Sequence, residues 1–340
     1  MNANTAEKIF GGIDVGAAEL VLVLRTGNKS QAAQSFPNTG VGHAKLVKVF
    51  LKLPGCIVCL EATGVYSLEL AVALHDANIA VMVLNPMASH NFAKVLGKHS
   101  KTDNVDADSL AQYAQLMPFQ PWVRPTDSEM TLRSFSRRIH ALTKLKSMNK
   151  NQAHAMGFIT STPKAVMDDL ALSIEQLEKR ITTLTDTAMQ FINDDPALLR
   201  AFTLLVGVKG IATTSAIALL GELLMLPKGM NHAQWVKFAG LDPKHFRSGS
   251  SVEKKARISK AGNHYIRSAL FMPAMSAKAH DPYVKAYFEH LLEMGKTPMQ
   301  GVCAVMRKLL HAIHGMLTND QPFDNTRFYA MPKENVPVSA

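Results

Sequence analysis

Through roughly the first 120 residues, short continuous apolar runs alternate with amphipathic ones. Lys8 to Ile13 and Leu20 to Arg25 predict two strands joined by the turn Gly16-Ala17-Ala18, and Ser35-Phe36-Pro37-Asn38 closes a third. Gly42 to Leu53 predicts a helix, apolar at Leu46, Val49, Phe50 and Leu53. Cys56 to Leu60 is apolar throughout, the pattern of a strand covered on both faces, and so is Ile79 to Leu84, stopped by Asn85-Pro86. Ser67 to Ala77, Met87 to Leu96 and Val105 to Leu116 predict helices. A hairpin followed by crossovers implies a mixed sheet with helices on its faces.

Pro118, Pro121 and Pro125 mark a boundary. Thr126 through Glu129 has capping-box spacing and opens a helix with Leu132, Phe135, Ile139 and Leu142 on one stripe. Thr160-Ser161-Thr162-Pro163 breaks the pattern. A second helix carries Leu170, Ile174, Leu177, Ile181, Leu184 and Phe191, with a gap at Ala188: a seam of about three heptads. Such a seam packs within one chain or pairs two chains, and its narrowness favours self-association. From Leu199 to Leu317 the pattern is helical again around a basic loop, and a Pro-rich polar tail follows Gln321. The expected organisation is an α/β domain over residues 1–125, a helical coiled coil over 126–198, an all-α domain over 199–325 that contains the basic loop, and a loose tail over 326–340.

Length and composition permit this: 340 residues, 47% of them hydrophobic, make two or three domains. Three cysteines give no disulfide framework, and Cys56 and Cys59, spaced C-x-x-C on an apolar strand, read as core. No N-terminal signal pattern is present, and no apolar run reaches the roughly 18 residues of a membrane span, so a cytoplasmic protein with no membrane partner is expected. The net charge of +10 favours a polyanionic partner. Much of it is concentrated: Lys237, Lys244, Arg247, Lys254, Lys255, Arg257, Lys260 and Arg267 stand against Asp242 and Glu253, a net +6 between residues 237 and 267. Glycines and a proline in this stretch predict a loop able to follow a phosphate backbone.

Four carboxylates carry the candidate chemistry. Asp14 ends an apolar run in Ile13-Asp14-Val15-Gly16, and Glu61 ends Ile57-Val58-Cys59-Leu60. Asp103 and Asp106 share one helical face at i and i+3, while Asp108 faces elsewhere. Carboxylates at strand ends with a helical Asp pair suit hard divalent cations against a phosphodiester. A strand-turn cap for Asp14 and a solvated helix start for the Asp pair are the plain alternatives. In the basic stretch, Ser248, Ser250 and Ser251 are candidate nucleophiles that spacing alone does not separate. Val208-Lys209-Gly210-Ile211-Ala212 before a helix resembles a helix-hairpin-helix phosphate turn, with Ala212 in place of its second glycine.

Taken together, Gly12-Ile13-Asp14, Leu60-Glu61-Ala62-Thr63-Gly64, Lys101-Thr102-Asp103-Asn104-Val105-Asp106-Ala107, Phe238-Ala239-Gly240-Leu241, Ser248-Gly249-Ser250-Ser251 and Ser259-Lys260-Ala261-Gly262 resemble the DEDD transposases. These are the recombinases of insertion-sequence family 110, related to a pilin-gene invertase, and the resemblance runs from residue 8 to residue 325. It implies a RuvC-like (RNase H-like) mixed-sheet domain with Asp14, Glu61, Asp103 and Asp106 as catalytic ligands of Mg²⁺ or Mn²⁺. It also implies a central coiled coil and a helical transposase domain whose nucleophile is Ser248. Lys209, Gly210, Arg247, Lys254, Lys255, Arg257, Lys260 and Arg267 are the expected nucleic-acid contacts. The implied activity is RNA-guided DNA recombination by dimers and tetramers with composite sites. The implied partners are donor and target DNA and a structured non-coding bridge RNA, in a bacterial, nucleoid-associated setting. A RuvC-type nuclease or Holliday-junction resolvase, cutting through water, is the main rival. Where the family carries Val-Arg-Gly, this chain has Val252-Glu253-Lys254.

Overall fold

The computed structural model describes residues 8–97, 102–248 and 252–330, with residues 245–248 and 252–256 described by their backbone. It divides into two compact units at Arg124 and Pro125.

The first unit is built on β1 (Ile9–Val15), β2 (Glu19–Thr26), β3 (Lys29–Ser30), β4 (Gln34–Pro37), β5 (Ile57–Glu61) and β6 (Ala80–Leu84). β1 is antiparallel to β2 and parallel to β5, which is parallel to β6; β3 and β4 both pair with β2. The expected mixed sheet is therefore present. β3 escaped the sequence pattern because it is two exposed polar residues. α1 (Gly40–Leu51) and α2 (Leu68–Asp76) cover one face, where Leu46, Phe50, Leu70 and Leu74 bury Ile13, Leu22, Val58 and Leu60. α4 (Asp103–Leu116) covers the other face, its Leu110 and Ala114 against Ile57, Cys59, Met82 and Leu84, and its Ala107 against Val21 and Val23. α3 (Pro86–Val95) docks on α4 through Phe92 edge-on to Tyr113, ring centres 5.0 Å apart.

The closest approach in this layer is at Gly12. A side chain there would put its Cβ 2.0 Å from the Ala107 carbonyl oxygen and 2.3 Å from the Ala111 nitrogen. Small residues on both partners thus let α4 lie directly on the β1 backbone.

The second unit opens with α5 (Asp127–Met156), whose Thr126/Glu129 capping box is formed as the sequence predicts. α6 (Lys164–Asn193) returns along it. Lys150 Nζ reaches Glu178 Oε1 at 3.0 Å, and Asn149 Nδ2 donates to Ser173 Oγ at 2.7 Å. The α6 seam packs along α5 of its own chain, with Leu170 and Leu177 buried. A heptad stripe fits either partner equally, and the short Thr160–Pro163 break puts α5 within reach. Ala188, the gap in the seam, is fully buried, where a larger side chain would hold α6 away.

α7 (Pro196–Val206), α8 (Thr213–Leu223), α9 (His232–Ala239), α10 (His264–His280), α11 (Pro282–Glu293) and α12 (Pro298–Asn319) complete the helical C-terminal region. One apolar core joins them to the near ends of α5 and α6 through Leu132, Ile139, Ala188 and Ile192. Within this region the basic stretch is not a loop. It forms an antiparallel ribbon of β7 (Pro243–Ser248) and β8 (Val252–Ile258). Ladder pairing overrides the low strand preference of its lysines, arginines and serine.

Candidate active site

The residues singled out in the sequence fall in two arrangements, one in each unit. In the first unit, β1 and β5 run parallel with Ile13 opposite Leu60, so Asp14 and Glu61 follow at neighbouring strand ends. Strand alternation puts Asp14 on the face of Gly12 and Glu61 on the face of Cys59, which is the face α4 covers. Thr102 caps α4, its hydroxyl accepting from the Val105 N–H at 3.4 Å, and Asp103 and Asp106 sit in the first turn. The Gly12–Ala107 contact brings this helix start alongside the strand ends. Asp14 responds: burial, then the charges of Asp103, Asp106 and Glu61, raise its pKa from 3.8 to about 6.

Among the described residues no cation is paired with any of these four acids. Arg25 is occupied by Asp108, 3.2 Å away, which also accepts from Ser30 Oγ at 2.5 Å. Asp108 thus belongs to a separate hydrogen-bonded group, in line with its facing elsewhere. The oxygen-only, uncompensated donor set fits a hard divalent cation. The side chains form no cage: among the described residues, no three His, Cys, Asp or Glu converge tightly enough to hold an ion. Cys56 and Cys59 are buried core, their thiols pushed up to about 11 and about 12 chiefly by burial.

In the second unit, Ser248 is the last residue of β7, paired with Val252 where the ribbon ends. Arg247 stands opposite Glu253 in the register, and Phe246 opposite Lys254. The departure Glu253 therefore falls directly across from a cationic position. Lys255 lies in β8, and Ser250 and Ser251 lie outside the described residues.

The base of the ribbon is clamped. Ser259 Oγ donates to Asp242 Oδ1 at 2.5 Å, and its N–H donates to the Asp242 carbonyl at 2.9 Å. Lys260 N–H donates to Gly240 O at 3.0 Å and Asn263 N–H to Phe238 O at 2.7 Å. Gly240 ends α9 in the left-handed conformation, φ 66°. Gly262, at φ 143°, has room for no Cβ, since one would lie 2.1 Å from Phe238 O. Phe238-Ala239-Gly240-Leu241 and Ser259-Lys260-Ala261-Gly262, distant in sequence, are thus two sides of one clamp.

Two proposed nucleic-acid contacts have internal duties. Arg267 Nη1 donates to the Ala239 carbonyl at 2.7 Å, part of the clamp. Gly210 backs onto α10, where an added Cβ would meet Pro273 O at 2.8 Å, so helix packing accounts for this glycine. Lys209 is exposed beside it, and Arg257 and Lys260 are exposed at the ribbon base.

Sequence reasoning missed Glu222. It is 1% exposed on α8, and it accepts from Arg137 Nε at 2.7 Å and Asn263 Nδ2 at 2.6 Å, with Arg133 Nε at 3.7 Å. Asn263 also caps α10 through Tyr265 N–H at 2.8 Å. The group ties α5, α8 and the end of the ribbon clamp together. Its signal was a lone acid in the apolar run of α8 and an i, i+4 arginine pair on α5.

A DEDD transposase model of the IS110 group matches residues 11–156, and a model described as transposase IS116/IS110/IS902 family matches residues 203–289. The pilin gene-inverting protein of Moraxella bovis is 31% identical over 268 residues, covering 78% of this chain and 81% of that protein. The pilin gene-inverting protein of Moraxella lacunata matches to the same extent. Among solved structures, T. thermophilus RuvC in complex with a Holliday junction substrate is similar over 34% of this chain and 99% of that chain, at 17% identity and a TM-score of 0.26. No helix among the described residues is long and apolar enough to cross a membrane. With its two halves matched in order and a relative aligned over most of both lengths, the chain belongs to the IS110 family of transposases and recombinases, enzymes that act on DNA.

Proposed function

We propose that this protein is an insertion-sequence transposase that cleaves and rejoins DNA with Ser248 as nucleophile and Asp14, Glu61, Asp103 and Asp106 as ligands of Mg²⁺ or Mn²⁺. The observation that carries the reading is the pairing of opposites: four carboxylates with no paired cation among the described residues in one unit, and a clamped basic ribbon ending at Ser248 in the other. A divalent ion held by the acids supplies Lewis-acid stabilisation of charge on the phosphate oxygens. Ser248 Oγ attacks phosphorus in line and loses its proton. The phosphorus bond to the leaving strand breaks, the leaving oxygen takes up a proton, and a phosphoserine ester remains. The cations of the ribbon (Arg247, Lys254, Lys255, Arg257 and Lys260) hold the charge that builds on the phosphate. The freed hydroxyl end of a partner duplex then attacks the phosphoserine phosphorus and loses its proton; the Ser248 Oγ–P bond breaks, the serine oxygen takes up a proton, and a phosphodiester is restored.

In this reading residues 1–125 are the RuvC-like metal-binding part, residues 126–198 the coiled coil and residues 199–325 the transposase part. Dimers and tetramers place the acids of one copy beside the serine of another. A bridge RNA that pairs with donor and target DNA selects both; family resemblance supports that element. Ser248→Ala should abolish covalent protein–DNA adduct while DNA affinity, read by fluorescence anisotropy, stays unchanged. Persistent DNA cleavage in that variant would instead favour a RuvC-type nuclease that cuts through water.

A further inference from the structure

Beside the base of the β7–β8 ribbon, α10, α11 and α12 border a cleft of about 960 Å³. That is at the upper end of the roughly 300–1,000 Å³ of clefts that take small organic ligands. The floor is apolar, built by Phe271, Met272, Leu291, Met299 and Cys303. Met272 and Met299 are 65% and 58% exposed, large apolar side chains left uncovered in one place. The rim is cationic: Arg257, Lys260, Lys296 and Arg307 line it, and no carboxylate does among the described residues. Nor is any of these four cations paired with an acid among the described residues. Arg267 also lines the wall, but its guanidinium is committed to the Ala239 carbonyl.

An apolar floor under an all-cationic rim calls for a ligand with a compact apolar body and several negative charges. We infer that this cleft receives an unpaired nucleotide of single-stranded nucleic acid, its base on the Phe271, Met272 and Met299 floor and its phosphates on the rim of Arg257, Lys260, Lys296 and Arg307. Single-strand sites combine these two features, since every base presents a flat apolar face and the backbone follows a positive groove. A paired duplex keeps its bases stacked and cannot offer one to the floor. An apolar helix from a second copy would cover the floor but leave four cations desolvated without partners. The inference rests on the family assignment and is independent of Ser248 as nucleophile.

The test uses the full chain and a short fluorescent oligodeoxythymidine, its oligouridine counterpart, and an abasic oligomer of equal length and charge. Base-bearing oligomer should bind about tenfold more tightly than the abasic one, and Met272→Glu combined with Met299→Glu should erase that difference. Both methionines are exposed, so an unchanged melting temperature confirms that the double variant folds. Tighter binding of either base-bearing polymer supports the inference and identifies its source as DNA or RNA. Cys303 gives a second readout, because Cys56 and Cys59 are buried and a maleimide reports on Cys303. Oligonucleotide should slow its labelling in wild-type protein. Equal affinity for abasic and base-bearing oligomers would overturn the inference. So would Cys303 protection that depends on protein concentration alone, which points to a second copy in the cleft. Loss of adduct in Ser248→Ala, with base-dependent binding intact, separates this site from the proposed chemistry.

Discussion

The acid face and the serine ribbon are positioned by opposite means. Asp14 and Glu61 are fixed by strand register, and the Asp103–Asp106 turn is fixed because Gly12, Ala107 and Ala111 allow a helix onto bare backbone. Ser248 instead stands at the end of a ribbon whose base is secured by turns at Gly240 and Gly262 and by Asp242, Ser259 and Arg267. The first arrangement crowds negative charge, with Asp14 pushed up to about 6 by burial and its neighbours. The second is basic and extended from its support. The difference suits the reaction proposed: one face gathers negative charge for a cation, and the other gathers positive charge for a phosphate.

Substitutions can break that contrast at its supports. The largest effect is expected at Glu222, which links α5 and α8 to the ribbon clamp. Glu222→Ala leaves Arg137 and Asn263 without their buried acceptor and should cost about 3–5 kcal/mol, read by denaturant unfolding. A loss below about 1 kcal/mol would mean the clamp stands without it. Gly12→Ala follows: its Cβ would overlap Ala107 O, so a loss of about 3 kcal/mol is expected. Gly40→Ala, where an added Cβ meets nothing within 4 Å, should change stability by under about 1 kcal/mol in the same assay.

A smaller effect, of opposite sign, sharpens the electrostatic half. The Asp14 carboxyl is raised from 3.8 to about 6 on folding. Below pH 3.8 it is protonated in folded and unfolded chains alike and costs nothing. As pH rises through about 6 it ionises at a price in stability, about 1–2 kcal/mol after solvent screening. Asp14→Asn should therefore melt about 2–6 °C higher than wild type at pH 8 without divalent ions, with the gap closing toward pH 4. Adding Mg²⁺ should raise the wild-type melting temperature and leave Asp14→Asn unmoved. Equal melting temperatures across the pH range would show that the four acids do not strain the fold.

Much of the acid face was legible in the sequence because it is local. Continuous apolar runs marked β5 and β6, Asp14 and Glu61 ended apolar runs, and the i, i+3 spacing put Asp103 and Asp106 on one helical face. What escaped depends on distant pairing. The ribbon reads as loop because glycines flank and interrupt a lysine-rich stretch, and the β7–β8 ladder, with the facing motifs around Gly240 and Gly262 at its base, is a long-range pairing. The α6 heptads state that a partner exists without naming it, and the structure supplies α5. Glu222 meets Arg137 across 85 residues of chain, a separation that no local pattern reports.

The central claim is that the acids and Ser248 act on one phosphodiester. Its most direct measurement is mass-spectrometric mapping of DNA-linked peptide after reaction with and without Mg²⁺. A nucleotide attached to Ser248, formed only with the divalent ion and absent in Asp14→Asn, is the predicted result. DNA cut with no covalent link, or a link to any other residue, would contradict it.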